Sequence, residues 1–93
     1  MKPIIETRFN QLRRYRKARG LSQVEAARIL GYKSTARLSR WEKGCCMPNS
    51  WNMLWLAANY HTMVDALFID MLREMRQKVR EREQRESQHK HDR

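Results

Sequence analysis

Leu21-Ser22-Gln23-Val24-Glu25-Ala26-Ala27-Arg28-Ile29-Leu30-Gly31 and, after the link Tyr32-Lys33, Ser34-Thr35-Ala36-Arg37-Leu38-Ser39-Arg40-Trp41-Glu42-Lys43-Gly44 read as two short helices joined by a tight turn. Ser22 and Glu25 have capping-box spacing: the serine oxygen can accept the Glu25 amide hydrogen while the Glu25 carboxylate accepts from the serine amide. Ala26, Ala27, Ile29 and Leu30 predict a narrow, small-residue inner face, and Gly31 supplies the left-handed residue on which helices often end. Ser34 is the expected N-cap of the next helix, with Leu38 and Trp41 facing inward and Thr35, Ala36, Ser39, Arg40 and Lys43 facing out. Gly44 stops it.

Helical spacing continues on both sides. Phe9, Leu12, Tyr15 and Ala18 or Arg19 recur at three- and four-residue intervals among basic residues, predicting a helix from about Thr7 to Arg19 that Gly20 ends. Pro48 with Asn49 or Ser50 opens a fourth helix, whose expected core stripe is Met53, Leu54, Leu56, Ala57 and Tyr60. Thr62 is expected to cap a fifth helix with Asp65 at its third position, and Val64, Leu67, Phe68, Met71, Leu72, Met75 and Val79 carry its apolar spacing past the domain. Beyond Val79 the chain is rich in Arg, Glu and Gln. There Glu74 with Lys78 and Glu81 with Arg85 can form weak i,i+4 pairs, and fraying is expected past about Glu86. The expected organisation is one domain over residues 1–68 and an extension of the last helix over residues 69–93.

Ninety-three residues suffice for one small domain with a modest core, which a partner chain would stabilise. The net charge of +10 is lopsided: residues 1–62 hold twelve Lys or Arg against three Asp or Glu, and residues 63–93 hold eight against seven. A field of that sign on the globular part steers the protein toward polyanions, and counterion release favours nucleic acid over acidic proteins or membranes. No run approaches the roughly 18 apolar residues of a spanning helix. The start Met-Lys-Pro-Ile-Ile-Glu-Thr lacks the apolar stretch of a secretory signal, so a cytoplasmic protein with no membrane partner is expected. Cys45 and Cys46 are adjacent, which disfavours a disulfide between them and reads as free thiols in a reducing compartment. With no Cys-x-x-Cys and only the remote His89 and His91 as further ligands, neither a metal site nor a cofactor is expected.

Enzymatic chemistry finds no support: His61, His89 and His91 stand beside no nucleophile, carboxylates are scarce in the domain, and no phosphate-cradling glycine loop occurs. RNA is a closer rival, since charge alone does not separate the nucleic acids. No pattern for an aromatic-bearing RNA-stacking sheet is present, however, and DNA in the major groove is the better fit.

Ser22 to Gly31, then Leu38-Ser39-Arg40-Trp41-Glu42-Lys43-Gly44 and Pro48, resemble the Cro/CI-type (Xre) helix-turn-helix family. The likeness extends through Leu12 and Arg16 on one side and Leu54, Leu56, Ala57, Asp65, Leu67 and Phe68 on the other, covering about residues 9 to 68. It implies an all-α, five-helix, lambda-repressor-like domain, here with an extended C-terminal helix. The third helix would lie in the major groove of double-stranded DNA, and the second would cross above it with its N-terminus toward a phosphate.

Carried over by position, the resemblance makes Thr35, Ala36 and Arg40 base-contacting, with Arg37 reaching a base or a phosphate. Arg40 would be the main reader, able to bond both acceptors of a guanine. Gln23, Lys33, Ser34, Ser39 and Lys43 would contact phosphates, positioning the protein without specifying sequence. Arg16 and Glu42 match positions of a buried ion pair between the first helix and the end of the third. The resemblance also implies a glycine where His61 stands, and basic residues where Cys45 and Cys46 stand. Trp51 and Trp55, one helical turn apart, occupy positions that are usually polar. They either pack against the C-terminal helix or join Phe68, Met71, Leu72 and Met75 in a homodimer face. The function implied is a homodimeric, sequence-specific transcriptional repressor of bacterial or phage origin that reads an inverted repeat. A regulator that uses the Trp51, Trp55 and C-terminal surface to hold another protein, as an antitoxin-like protein does, remains the alternative, as does a non-specific nucleic-acid binder.

Overall fold

The structure is a computed structural model that describes residues 9–91. Six helices follow in order, α1 (Leu12–Ala18), α2 (Gln23–Leu30), α3 (Ala36–Lys43), α4 (Ser50–Tyr60), α5 (Val64–Leu67) and α6 (Ile69–His91), and no strand occurs among the described residues. The core forms where α1, α2, α3, α4 and α5 converge, around Leu12, Ala26, Ala27, Leu38, Trp41, Leu56, Ala57, Tyr60, Leu67 and Phe68. Ala26 is fully buried, and its small side chain brings the α2 backbone close enough to α4 for Asn59 Nδ2 to donate to the Ala26 carbonyl at 3.4 Å.

The capping box of α2 is complete: the Ser22 hydroxyl accepts from the Glu25 amide at 3.0 Å, and the Glu25 carboxylate accepts from the Ser22 amide at 2.9 Å. Gly31 and Gly44 end α2 and α3 at φ of 82° and 77°, where a side chain would be strained. Asn49 opens α4, its side chain accepting from the Asn52 amide.

Several elements depart from the periodicity. α1 begins at Leu12 because the preceding residues spend their groups on other parts of the fold. Asn10 accepts from the Leu12 amide and donates to the Trp41 carbonyl, while the Gln11 amide donates to the Leu67 carbonyl at 2.8 Å. Phe9 is consequently exposed, and the expected start at Thr7 lies outside the described residues. The N-cap of α3 is Thr35, one residue later than expected, and Ser34 accepts instead from the Ala36 amide at 3.3 Å. Ile29 and Leu54 face solvent rather than the core.

Thr62 does not cap the fifth helix. Its amide donates back to the Ala57 carbonyl and that of His61 to Ala58, closing α4 in a Schellman-type turn, while Met63 becomes the cap residue of α5. Asp65 accordingly sits at the second position of α5. The single long helix expected from Val64 onward is broken at Phe68, whose backbone (φ −124°, ψ 33°) turns so that its ring enters the core. Past Glu86, where fraying was expected, α6 stays helical to His91. Gln77 supports it, donating to Glu81 and accepting from Arg80.

His61 holds φ 56° and ψ 48°, the only left-handed residue other than glycine among those described. That conformation costs an L-residue roughly 1–2 kcal/mol. His61→Gly is expected to stabilise the fold by about 0.5–1 kcal/mol after the entropy cost of glycine. Thermal unfolding would show this as a raised midpoint, and a lowered one would contradict strain at this turn. Ser22 lowers the Glu25 pKa from its ordinary value, through the backbone N–H first and the hydroxyl second. A lowered carboxyl pKa stabilises the fold above the ordinary glutamate range and ceases to do so as pH falls through the lowered value. The stability gap between the wild type and Glu25→Gln should therefore be open at neutral pH and close as pH falls below the ordinary glutamate range.

Candidate nucleic-acid interface

Leu38 and Trp41 anchor α3 in the core, and at about 100° per residue this turns Ala36, Arg40 and Lys43 into one solvent-facing stripe flanked by Arg37 and Ser39. Ala36, Arg40 and Lys43 are exposed, and Thr35 and Ser39 are half-buried at the margins. Lys33 and Ser34 border a shallow depression with Gly31, Tyr32 and Arg37 in the turn between α2 and α3. The Arg37 guanidinium carbon lies 5.1 Å from the centre of the Tyr32 ring, within cation–π range. That ring is itself fixed: its hydroxyl donates to Asn52 at 2.8 Å, and it meets Trp41 edge-on at 6.1 Å. Arg37 is thus held beside the stripe by a side chain tied to α4.

Beneath this face, Arg16 and Glu42 meet with side chains only 7% and 6% exposed. Arg16 Nε donates to Glu42 Oε2 at 2.6 Å and Nη2 to Oε1 at 3.1 Å, a two-point contact that the planar guanidinium suits. Arg16 Nη1 donates to the Leu21 carbonyl at 2.7 Å, and Gln23 Nε2 adds a further bond to Glu42 Oε1 at 3.1 Å. The bond to Glu42 raises the Arg16 pKa above its ordinary value, against the opposing effect of burial. One carboxylate therefore joins the middle of α1, the first residue of α2 and the end of α3.

The Gln23 side-chain amide, expected to contact a phosphate, donates to Glu42 in this arrangement. The first-turn N–H groups of α2, at Gln23 and Val24, have no acceptor within the helix and remain the groups able to meet a phosphate there. Sequence reasoning missed this bond because Gln23 and Glu42 are nineteen residues apart and share no local pattern. It missed the Tyr32–Asn52 bond for the same reason.

Of the apolar residues expected on a common dimer face, Phe68, Met71, Leu72 and Met75 line one groove, and Trp51 and Trp55 lie on another surface. Phe68 is 7% exposed and belongs to the core, whereas Trp51 and Trp55 are 68% and 52% exposed. Met71, Leu72 and Met75 line a groove of about 210 Å³ with Met47, Met53 and Val64, floored by Phe68. Cys45 and Cys46 are free and exposed in the loop after α3. Among the described residues no group of His, Cys, Asp or Glu could hold a metal ion, and no helix is long and apolar enough to cross a membrane.

A family model described as a helix-turn-helix domain matches residues 10–67. The chain belongs to that family. No curated protein and no solved structure matches it. The matched span begins at Asn10, which ties α1 to α3, and ends at Leu67, whose carbonyl receives the Gln11 amide. It holds most of the core, with Phe68 and α6 outside it. This accords with the Cro/CI-type resemblance and supports a DNA-binding regulator of the all-helical kind.

Glu42→Ala would leave Arg16 buried without its counter-charge, at an expected cost of about 3–5 kcal/mol. The double variant Arg16→Met/Glu42→Leu removes both charges and should regain most of that loss in urea denaturation. A double variant as unstable as the single one would mean that the packing, and not the stranded charge, is at fault.

Proposed function

We propose that the protein is a homodimeric, sequence-specific repressor that lays α3 of each copy in the major groove and blocks a promoter. The observation that carries this reading is the stripe of Ala36, Arg40 and Lys43, which faces solvent while the other side of α3 is fixed by Leu38, Trp41 and Glu42. A side chain reads a base edge only if its helix cannot rotate, and α3 is fixed in this way at both ends. Arg40, exposed in mid-stripe, is suited to the paired acceptors of guanine, and Thr35 and Ala36 to a thymine methyl. Lys33, Ser34, Ser39 and Lys43 surround that stripe and serve phosphates, with Arg37 available to either.

The dimer is assigned to α6. Met71, Leu72 and Met75 border an apolar groove, and Met75 and Val79 continue as an exposed ridge on the same helix. Groove and ridge on one element allow two copies to fill each other reciprocally, as a two-fold contact requires. Residues 69–93 would then be the dimerising extension of a DNA-binding domain over residues 1–68. Repression by occlusion needs only tight and specific occupancy, which two such heads supply. The exposed, unpaired Cys45 and Cys46 suit a reducing cytoplasm, bacterial or phage-infected.

Selection of bound duplexes from a random pool at near-physiological salt should enrich an inverted repeat with half-site centres about ten base pairs apart. Enrichment of no sequence would leave a non-specific binder. Arg40→Ala should relax preference at one position of each half-site by about 1–3 kcal/mol, whereas Lys43→Ala should weaken all sequences alike and lower the salt slope by about 1. Met71→Asp and Met75→Asp should sediment as monomers and bind the repeat weakly. A mutant that stays dimeric would move the contact off α6.

A further inference from the structure

Two apolar surfaces lie on opposite sides of α4, and a dimer formed through α6 uses only one. Met53 lines the groove beside α5 and α6, while Trp51, Leu54 and Trp55 border a separate notch of about 210 Å³. The spacing accounts for the split: at 100° per residue, Trp51, Leu54 and Trp55 share the face opposite Leu56, Ala57 and Tyr60, which are buried. Leu54 is 62% exposed, and with the two tryptophans it leaves on the order of 400 Å² of apolar side chain in water, a size that marks interaction sites on soluble proteins. The two indoles stand edge to face, 6.3 Å apart at 72°, and form the walls of the notch.

What would cover this face is constrained by area and charge. The patch offers about half of the roughly 800 Å² per partner that two folded surfaces bury in a stable complex, so it suits a short segment better than a second copy of the whole domain. α4 itself carries no charged residue from Ser50 to Tyr60, so an apolar side chain can enter without stranding an ion. The surrounding domain has twelve basic residues against three acidic ones over residues 1–62, a field that attracts acid. Tryptophan is the residue type most often found as the energetic anchor of such contacts.

We propose that the Trp51–Leu54–Trp55 face of α4 docks a segment of a different protein, a short amphipathic stretch whose large apolar anchor fills the notch between flanking Asp and Glu residues. This rests on the dimer of the proposed function forming elsewhere than on this face of α4. It makes the protein a regulator with separate surfaces for DNA, for its own copy and for an acidic partner.

The test is selection from a random 15-residue peptide library on the full chain, with counter-selection on the Trp51→Ala/Trp55→Ala double variant. Both side chains are largely exposed, so the variant should fold, and it should keep its dimer mass and DNA affinity. The enriched peptides should share an apolar anchor flanked by acid and bind more weakly as salt rises. They should shift tryptophan emission to the blue, because Trp51 and Trp55 lose water while Trp41 is already buried, and the double variant should bind them at least tenfold more weakly. Enrichment of nothing that separates wild type from variant, or of anchors with basic flanks, would overturn the proposal. So would a double variant that sediments as a monomer, since the face would then belong to the dimer. The α6 assignment fails separately, if Met75→Asp stays dimeric beside a dimeric tryptophan variant; the docking face would stand in that case.

Discussion

Glu42 is a buried carboxylate with three hydrogen bonds from two other helices, and the orientation of α3 depends on it. Its partners lie in the middle of α1 and at the first residue of α2, and Arg16 reaches past it to the Leu21 carbonyl in the turn between them. Burying a charge is costly, and an apolar pair of similar volume would hold the fold as well or better. What such a pair would lack is direction. Dispersion contacts tolerate a helix that rotates by a fraction of a turn, whereas a two-point guanidinium–carboxylate contact does not, and a helix that reads base edges works only within a narrow rotation.

The core carries a related imperfection. The Tyr60 hydroxyl and Asn59 Oδ1 are buried without a hydrogen-bond partner. Burial is the first cause, and the nearby Glu42 charge the second, that push the Tyr60 phenol above its ordinary pKa, so it stays neutral. The ring fills volume beside the ion pair, and its hydroxyl draws no compensating bond from it. A small domain that places an ion pair in its centre has little room left to satisfy every neighbouring polar group.

Local rules were legible in the sequence where local chemistry decides the outcome. Ser22 with Glu25 forms the reciprocal cap that its spacing indicates, and Gly31 and Gly44 end their helices in the left-handed region. Leu38 and Trp41 point inward, so the outward stripe of α3 could be read from periodicity alone. Wherever tertiary hydrogen bonds compete with propensity, periodicity fails. Asn10 and Gln11 look like helix residues but are drawn off to Trp41 and Leu67, and Thr62 looks like a cap but is consumed in closing α4. Ile29, Leu54, Trp51 and Trp55 show the other failure. Hydrophobicity indicates what prefers burial, while the count of packing partners in a five-helix core decides what receives it. The pairing of Arg16 with Glu42 came from family likeness, and the third member, Gln23, was visible in neither.

α6 gives this small protein an unusual outline. The molecule extends 58 Å along its longest axis and only 20 Å along its shortest, with a radius of gyration of 17.1 Å. A compact chain of this length would have about 12 Å. Friction in water follows outline more than mass, so a single copy migrates through a porous gel as though it were considerably heavier. An apparent mass from gel filtration is therefore a poor guide to how many copies associate, and shape-independent measurements such as sedimentation equilibrium or light scattering are the appropriate ones for this chain.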